Sequence, residues 1–269
     1  MDIIISNERA LATTLEKFLK DKLVNSGLKG YILGLSGGID SSLAASIAAR
    51  AIGANQIHGL MMPYKHSSGD SLADAERLVK QLGISSETIE ISPMIDDYYK
   101  NVSIVNKVRL GNKMARERMS ILFDRAYEMG CLVLGTSNRT EICLGYGTWY
   151  GDMACSVNPL GMLYKTQVRQ MARYYDIPGS IITKTPSADL WPGQTDEGEL
   201  GLEYEKVDRL LFMIIEQGLT KRLELTRAGF SDAFIVRAVT LINKFHYKRH
   251  LPEIPDLGLN PIPDNVVIG

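Results

Sequence analysis

The sequence predicts an α/β protein with a mainly parallel, doubly wound sheet flanked by helices and a helical C-terminal extension. Short apolar runs alternate with longer amphipathic segments as far as residue 134, an order typical of successive β–α–β units. Glycines follow most of the helical segments and mark their ends. We expect ligands beyond the carboxyl ends of the strands, because that edge forms the binding crevice in such sheets.

The predicted elements follow in a regular order along the chain. Apolar runs bounded by glycine, proline or polar residues predict strands at 31–35, 57–62, 87–91 and 131–134. Helical periodicity predicts helices at 7–25, 40–52, 71–82, 106–129, 165–175, 203–217 and 232–246. Residues 186–201 are polar and lack periodicity, which predicts a mobile lid. The proline-containing end is predicted to be an irregular tail.

We expect one domain over residues 1–269, with an N-terminal helix (1–29) and C-terminal helices and tail (203–269) packed on its core. The chain has 269 residues, of which 45% are hydrophobic and 23% charged, an ordinary globular composition. Its formal net charge of −1 gives no indication of nucleic acid or an anionic membrane as a partner. No apolar run is long enough to span a bilayer, and the first residues do not resemble a signal peptide.

The cysteines indicate a reducing compartment. Cys131, Cys143 and Cys155 form no C-x-x-C pair and leave an odd thiol over. Reduced thiols are typical of the cytoplasm, where we expect this protein.

The most informative segment is YILGLSGGIDSS at residues 31–42. Adjacent Gly37 and Gly38 allow backbone N–H groups to approach an anion, and Asp40 to Ser42 suit a helix N-terminus that favours phosphate. No Gly-Lys pair follows, so this is not a Walker A loop. Asp40 would repel phosphate unless a divalent cation lay between them. Ser-Gly-Gly alone is more typical of an ordinary turn, but Asp-Ser-Ser behind a buried strand favours phosphate binding.

This loop resembles that of the ATP pyrophosphatase (PP-loop) superfamily, which cleaves ATP between its α and β phosphates. Further blocks follow in order: GNKMARERM at 111–119, GTSNRTE at 135–141, GYGTWYGD at 145–152, NPLGMLYKT at 158–166, KTPSADL at 184–190 and Asp196-Glu197. Together they are similar to ammonia-dependent NAD synthetases from Tyr31 to Pro252. The resemblance implies the Rossmann-like, adenine nucleotide alpha hydrolase-like fold.

The resemblance also implies a reaction. The nicotinate carboxylate of deamido-NAD attacks ATP, giving an NAD-adenylate and pyrophosphate, and ammonia then displaces AMP to give NAD. Small-molecule substrates, Mg²⁺ and a homodimer are expected. No N-terminal hydrolase segment is present in the sequence, so we expect direct use of ammonia, although a separate glutaminase subunit stays open.

Asp40 and Glu141 are the expected Mg²⁺ ligands, because both follow strand ends on one edge and Mg²⁺ prefers oxygen ligands. From residue chemistry alone, Glu141 is equally well interpreted as a carboxylate that stabilises the first turn of a helix. Thr136 could likewise cap that helix, a role compatible with ligand binding. The family pattern implies ATP binding by a set of loop and edge residues: Gly34, Leu35, Ser36, Gly37, Gly38, Ile39, Asp40, Ser41, Ser42, Thr136, Lys165 and Ser187.

Asp152 and Lys165 are the expected catalytic residues. A carboxylate at Asp152 could attract ammonium and take its proton, although an aspartate after Gly151 also suits a turn. The resemblance assigns Arg116, Trp149, Ser156 and Lys248 to deamido-NAD. The sequence departs from the family pattern here, since many relatives have lysine at 149, aspartate at 156 and histidine at 247. Trp149 could stack on a flat ring, but it does not replace the charge.

Other interpretations stay open at this point. The chain could be another PP-loop adenylating enzyme, GMP synthetase-like or tRNA-modifying, although it lacks a basic composition and a C-x-x-C pair. It could also be a non-catalytic ATP-binding module. The long helix carries Met114, Ile121 and Leu122, which suit a dimer contact or the core. We expect residues 65–69 and 187–199 to become ordered with substrate.

Overall fold

The fold is built on a four-stranded parallel sheet. In the computed structural model, which describes residues 3–65, 67–191 and 193–255, the strand order is β3-β2-β1-β4. Tyr31 pairs with Ile57 on one side and with Leu132 on the other. The parallel sheet predicted from the sequence is confirmed. The strands are β1 (Gly30–Gly34), β2 (Ile57–Met61), β3 (Ser85–Thr88) and β4 (Cys131–Val133).

Helices cover both faces of the sheet and form the C-terminal extension. Short 3₁₀ turns occupy Ala54–Gln56 and His246–Arg249. The α-helices in the described ranges are α1 (Glu8–Ser26), α2 (Ile39–Ile52), α3 (Gly69–Leu82), α4 (Ser92–Tyr99), α5 (Lys107–Met129), α6 (Arg139–Leu144), α7 (Lys165–Tyr174), α8 (Gly179–Thr183), α9 (Asp196–Leu200), α10 (Tyr204–Ile215), α11 (Arg222–Arg227) and α12 (Asp232–Lys244).

The third strand begins two residues earlier than predicted and ends before the apolar run does. Its residues, Ser85 to Thr88, are polar and mostly exposed because β3 lies at the sheet edge, so the hydrophobic pattern does not mark it. The N–H groups of Ile89 and Ile91 still donate to the carbonyls of Met61 and Pro63. The chain then turns into α4, a helix that is not among the predicted elements.

The segment predicted to be a lid without regular structure contains a helix. Within 186–201, α9 begins after Thr195, whose hydroxyl accepts a hydrogen bond from the Gly198 N–H. A helix of five residues is too short for periodicity to reveal it. The predicted tail beyond residue 255, position 66 of the predicted loop and position 192 of the predicted lid lie outside the described residues.

Alternate residues of β1 pack on opposite faces of the sheet. Tyr31 and Leu33 join a core with α1, α2 and α7, whereas Ile32 joins one that includes Leu60 and Met114. This pattern is typical of a sheet buried on both sides.

The dimer-contact interpretation of Met114, Ile121 and Leu122 is not supported for these side chains. Met114 is fully buried, and Ile121 and Leu122 pack against the same core. The exposed apolar residues of α5 are Val108, Phe123 and Tyr127.

A third core joins the C-terminal helices to the edge of the sheet domain. It includes Leu144 of α6 and Tyr164, which precedes α7, together with Tyr204, Leu211 and Leu241. These contacts fix α10 and α12 against the segment that carries Glu141 and Lys165. No helix in the described part of the chain is long and apolar enough to cross a bilayer.

Candidate active site

A cavity of about 960 Å³ opens at the carboxyl ends of β1, β2 and β4. This is the edge at which the sequence predicts ligand binding. Its walls come from the loop after β1, α5, the loop before Asp152, the segment around Ser187, and Tyr247 with Lys248. Most of the predicted site residues line it: Gly34, Leu35, Ser36, Gly38, Ile39, Asp40, Ser41, Arg116, Thr136, Glu141, Trp149, Asp152, Lys165, Ser187 and Lys248.

The loop after β1 is held by its own hydroxyl groups. The Gly38 N–H donates to Ser36 Oγ at 3.2 Å, and Ser41 Oγ donates to the Gly38 carbonyl at 3.1 Å. Ser42 is fully buried, and its Oγ donates to the same carbonyl at 2.8 Å. These bonds leave the first turn of α2 directed at the cavity, the arrangement that favours an anion.

Gly37 allows the loop to approach α3 closely. It has a φ of +72°, and a Cβ at this position would lie 2.0 Å from the Ser71 carbonyl oxygen. Gly37 and Ser42 are not part of the cavity lining, so the structure places them behind the loop surface. Both residues support the loop and do not face the cavity.

A lysine links the two predicted metal ligands. Lys165 Nζ lies 2.5 Å from Asp40 Oδ2 and 3.3 Å from Glu141 Oε1. The side chain of Lys165 is 2% exposed, so this ammonium is enclosed. Lys165 is predicted from the sequence to contact phosphate, whereas its pairing with Asp40 is not predicted.

Glu141 has both of the roles considered from the sequence. Its backbone N–H donates to Asn138 Oδ1 at 3.0 Å, and its Oε2 accepts from the Asn138 N–H at 3.2 Å, which forms a capping box at the start of α6. Its other oxygen contacts Lys165. Asn138 Nδ2 also donates to Asp40 Oδ1 at 2.9 Å, so Asn138 positions both carboxylates. Its location three residues before Glu141 is the sequence signal for this role.

The cluster carries more carboxylates than cations. Burial raises the pKa of Glu141; Lys165 opposes this shift, while Asp40 and Asp196 add to it. Burial disfavours the Lys165 ammonium, but Asp40 and Glu141 outweigh that effect and raise its pKa. Such an excess of carboxylates favours an additional cation.

Asp196 is a site residue for which the sequence predicts no role. Its carboxylate accepts from the hydroxyl groups of Tyr146 at 2.9 Å and Tyr204 at 3.1 Å. Burial raises its pKa, while Lys165 and the two tyrosines oppose the shift. Asp196 lines the cavity. Its only sequence signal was the Asp196-Glu197 block.

The donor set of this cluster fits Mg²⁺. Asp40 and Glu141 both contact one positively charged group, and carboxylate oxygens are the ligands that Mg²⁺ uses together with substrate phosphates and water. No larger group of metal-binding side chains is found within the described ranges.

The glycine-aromatic loop is supported by two cations. Lys248 Nζ donates to the carbonyls of Gly145 at 2.8 Å and Gly147 at 2.7 Å. Arg116 donates through Nε and Nη2 to the Trp149 carbonyl, each at 3.3 Å. Both predicted acceptor-binding cations therefore hold the loop.

Trp149 belongs to an aromatic group on the cavity wall. Its ring stacks on Tyr150 at a centroid distance of 4.4 Å and meets Tyr247 edge to face at 5.2 Å. Ser156 lies outside the cavity lining, and its Oγ accepts from the Val133 N–H at 3.2 Å. The predicted acceptor residues are thus not all brought together here.

Asp152 faces the cavity from the end of this loop. Its Oδ1 accepts from the Thr148 N–H at 2.8 Å. Its side chain is exposed to the cavity, but the cavity walls surround it closely and reduce its hydration. This desolvation raises the pKa of the Asp152 carboxyl, while the hydrogen bond from Thr148 lowers it. The raised pKa is suited to a group that exchanges protons.

The segment around Ser187 contacts the loop before α3. Ser187 Oγ accepts from the Asp189 N–H at 3.0 Å, and Asp189 Oδ2 accepts from the Ser68 N–H at 3.0 Å. Asp189 has a φ of +50°, a conformation that costs energy for a residue with a side chain. The two segments predicted to close over substrate are therefore already in contact.

The NAD synthase family model matches residues 11–252. The chain belongs to the NAD synthase family. The NH(3)-dependent NAD(+) synthetase of Fusobacterium nucleatum is 46% identical over 248 residues, which cover 92% of this chain and 96% of that protein. The one from Chlorobium phaeobacteroides is 47% identical over 244 residues, which cover 91% and 88%.

Solved structures of the NAD synthase family have the same fold. An NMN synthetase from Francisella tularensis superposes with a TM-score of 0.84 at 33% identity, covering 94% of this chain and all (100%) of that one. An NH3-dependent NAD synthetase from Campylobacter jejuni gives a TM-score of 0.79 at 33% identity, covering 93% and 100%. The fold class expected from the sequence is confirmed.

Proposed function

We propose that this protein is an ammonia-dependent NAD synthetase, a ligase that joins ammonia to the nicotinate carboxylate of deamido-NAD at the expense of ATP. The observation that carries the proposal is the Asp40–Lys165–Glu141 cluster beside the glycine loop, in one cavity with Asp152. Relatives that carry this activity in their names match over most of both chains. They do not favour a GMP synthetase-like, tRNA-modifying or non-catalytic alternative.

The first step activates the carboxylate. An oxygen of the nicotinate carboxylate bonds to the α-phosphorus of ATP, and the bond to the bridging oxygen of the β-phosphate breaks, so pyrophosphate leaves with the electron pair. The amides around Gly38 and the start of α2 bind phosphate oxygens. Lys165 supplies a positive charge at the same place. Asp40 and Glu141 would hold Mg²⁺, which neutralises phosphate charge when bound.

The second step forms the amide. The nitrogen of ammonia bonds to the acyl carbon, the bond from that carbon to the phosphate oxygen breaks, and AMP leaves with the electron pair. The nitrogen loses one proton to become the neutral amide. Asp152 is the base that accepts it, directly or through water. Its raised pKa brings it closer to the range in which a base works efficiently.

The acceptor lies on the side of the cavity lined by Arg116, Trp149 and Lys248. Trp149 offers a flat surface on which a heteroaromatic ring stacks. Arg116 and Lys248 exchange part of their bonds to the loop carbonyls for contacts with the negatively charged substrate. Ser156 contributes only after a local rearrangement, because its hydroxyl is bonded to Val133.

We further propose that the chain forms one domain and acts in the cytoplasm as a homodimer. Val108, Phe123 and Tyr127 expose apolar surface along α5, which supports a contact between copies at this helix. Sedimentation of the protein at several concentrations tests the dimer. A monomer at all concentrations would refute it.

The function is tested by incubating the protein with ATP, Mg²⁺, ammonium and deamido-NAD while NAD and AMP are quantified together. Equal amounts of both products are expected. Glutamine in place of ammonium tests the nitrogen donor, and we expect it to give no product. Nicotinate mononucleotide is offered separately, because one structural neighbour is named as an NMN synthetase. Faster turnover of nicotinate mononucleotide than of deamido-NAD would show that the mononucleotide is the preferred acceptor. Absence of product with both acceptors would refute the proposal.

A further inference from the structure

Arg118 is a cavity residue that the proposed mechanism has not used. It lies on α5, two residues after Arg116, and its Nε donates to the Met62 carbonyl at 2.9 Å, directly after β2 ends. This bond fixes one edge of the guanidinium. Arg118 also lines the cavity, so a bound substrate can reach the group.

The terminal nitrogens of Arg118 have no protein partner within residues 3–65, 67–191 and 193–255. No carboxylate there lies within ion-pair distance of its guanidinium, and neither Nη1 nor Nη2 makes a hydrogen bond. The other cavity cations differ: Lys165 and Lys184 are paired with carboxylates, Lys248 donates to two carbonyls, and Arg116 donates to one carbonyl through two of its nitrogens. Arg118 is thus the cavity cation with most of its donors available.

The surroundings of Arg118 favour an anion. Burial lowers its pKa to about 10, and the more distant carboxylates of Asp189 and Asp152 oppose the shift. At neutral pH the guanidinium is therefore still charged. An enclosed cation without a direct counterion is costly, and a ligand oxyanion removes that cost.

Arg118 lines the same cavity as Asp189 and Asp152, and this shared cavity indicates which anion it binds. Asp189 belongs to the segment around Ser187, whereas Asp152 is the proposed base for the attacking ammonia. The acyl carbon that ammonia attacks is joined through one oxygen to the α-phosphorus. The part of the cavity that holds Asp152 and Arg118 is therefore assigned to that phosphate, while Lys165 and the metal ligands lie beside the glycine loop.

We propose that Arg118 is a catalytic residue that binds the α-phosphate of ATP and of the acyl-adenylate through its terminal nitrogens. This inference rests on the proposed function. In the first step Arg118 stabilises the charge on the α-phosphate during carboxylate attack. In the second it stabilises AMP as the bond to the acyl carbon breaks. A planar fork with two donors suits two phosphate oxygens better than an ammonium does.

The test compares Arg118→Met and Arg118→Lys with wild type and with Arg109→Met. Arg109 lies on the same helix but is exposed and outside the cavity, which makes it a matched control. AMP and deamido-NAD are titrated separately by calorimetry, and kcat is measured at saturating substrates. Thermal melting verifies that each variant is folded.

We expect Arg118→Met to weaken AMP binding at least tenfold and to lower kcat about 100-fold, with deamido-NAD affinity within twofold of wild type. Arg118→Lys should give intermediate values, and Arg109→Met should behave as wild type. Unchanged AMP affinity and kcat in Arg118→Met would overturn the proposal. Loss of deamido-NAD affinity with normal AMP affinity would also overturn it, because the bound phosphate would then be that of the acceptor.

The AMP titration tests this inference separately from the proposed NAD synthetase activity. If wild type made no NAD, the AMP titration of Arg118→Met would still decide whether Arg118 binds a nucleotide phosphate. If Arg118→Met did not fold, the same titration on Arg118→Lys would decide, with at least threefold weaker AMP binding expected. If Arg118→Lys folded and kept both the AMP affinity and the kcat of wild type, the proposed role of the two terminal guanidinium nitrogens would be contradicted.

Discussion

The ammonium of Lys165 lies 2.5 Å from a carboxylate oxygen of Asp40, although the two residues are 125 positions apart. The sequence predicts that Asp40 binds a metal ion and that Lys165 binds ATP. The two groups neutralise each other, with Glu141 as a further partner of the lysine. Binding of ATP with Mg²⁺ therefore requires Lys165 to exchange at least part of its carboxylate contacts for phosphate.

Removal of the Asp40 charge should impair metal-dependent catalysis. In Asp40→Asn one of the two proposed carboxylate ligands is lost, so we expect kcat to fall about 100-fold or more and the Mg²⁺ concentration for half-maximal activity to rise. Initial rates over a Mg²⁺ titration measure both quantities. Asp21→Asn changes an exposed aspartate and serves as the control. An Asp40→Asn enzyme with wild-type Mg²⁺ dependence would rule out the ligand role.

Replacement of Lys165 should make stability depend on divalent cations. Lys165→Met leaves Asp40 and Glu141 without their ammonium, which we expect to cost about 3 kcal/mol of unfolding free energy. A divalent cation then binds the carboxylates, and at ten times its Kd it restores about 1.4 kcal/mol. Thermal melting with and without MgCl₂, against a KCl control of equal ionic strength, detects this. The melting temperature of wild type should change little with MgCl₂. An equal change in both proteins would contradict the idea that Lys165 and a divalent cation compete for the two carboxylates.

The close approach of Gly37 to Ser71 gives a prediction with an internal control. Gly37 and Gly27 have φ values of +72° and +68°, but only at Gly37 would a Cβ meet another atom, the Ser71 carbonyl oxygen. Both alanine variants pay about 1–2 kcal/mol for the left-handed conformation. Gly37→Ala should additionally displace the loop and weaken ATP binding at least tenfold, measured by calorimetry. Equal ATP affinities in Gly37→Ala and Gly27→Ala would show that the loop tolerates the displacement.

The role of Asp152 should be visible in the pH dependence. Because its pKa is raised, activity that needs its carboxylate is lost as the pH falls through that raised pKa. Asp152→Asn should lower kcat about 100-fold and lack this acidic limb. Rates are compared at a fixed concentration of free ammonia, so that ionisation of ammonium does not enter. If the activity of Asp152→Asn fell at acidic pH in the same way as that of wild type, another group would be responsible for the decrease.

The same shift has a consequence for stability. The pKa of Asp152 in the folded protein lies above the value in the unfolded chain, so the folded state binds the proton more tightly. The contribution of this group to stability is therefore largest below the unfolded pKa and decreases as the pH rises through the folded pKa. Asp152→Asn should lose less stability than wild type across that window in urea unfolding. A parallel pH profile would contradict the raised pKa.

Substrates should protect the two loops that contact each other through Asp189 and Ser68. We expect cleavage by a protease within 65–69 and 187–199 to slow at least fivefold with ATP and deamido-NAD. Mass spectrometry of the fragments locates the sites. Cleavage at equal rates with and without ligands would refute closure of these segments.

Sequence reasoning placed Asp40 and Glu141 on one edge because parallel strands direct their carboxyl ends to the same side. The structure brings both residues to Lys165 there. The enclosure of Lys165 was not predictable, since it depends on packing of α7 against α10, far apart in sequence. Asp196 was not assigned because α9 is too short to show periodicity. Residues 113, 116 and 118 of α5 are all basic, so the sequence does not distinguish them. Arg118 is distinguished in the structure because it donates to the Met62 carbonyl and lines the cavity.

The most direct test of the two-step account is a single-turnover experiment without ammonium. Enzyme in excess over radiolabelled ATP is mixed with Mg²⁺ and deamido-NAD, quenched and analysed for adenylate and pyrophosphate. The account predicts that pyrophosphate and an NAD-adenylate form in equal amounts and that later addition of ammonium converts the adenylate to NAD and AMP. Formation of ADP and phosphate, or an adenylate that ammonium does not convert, would contradict it.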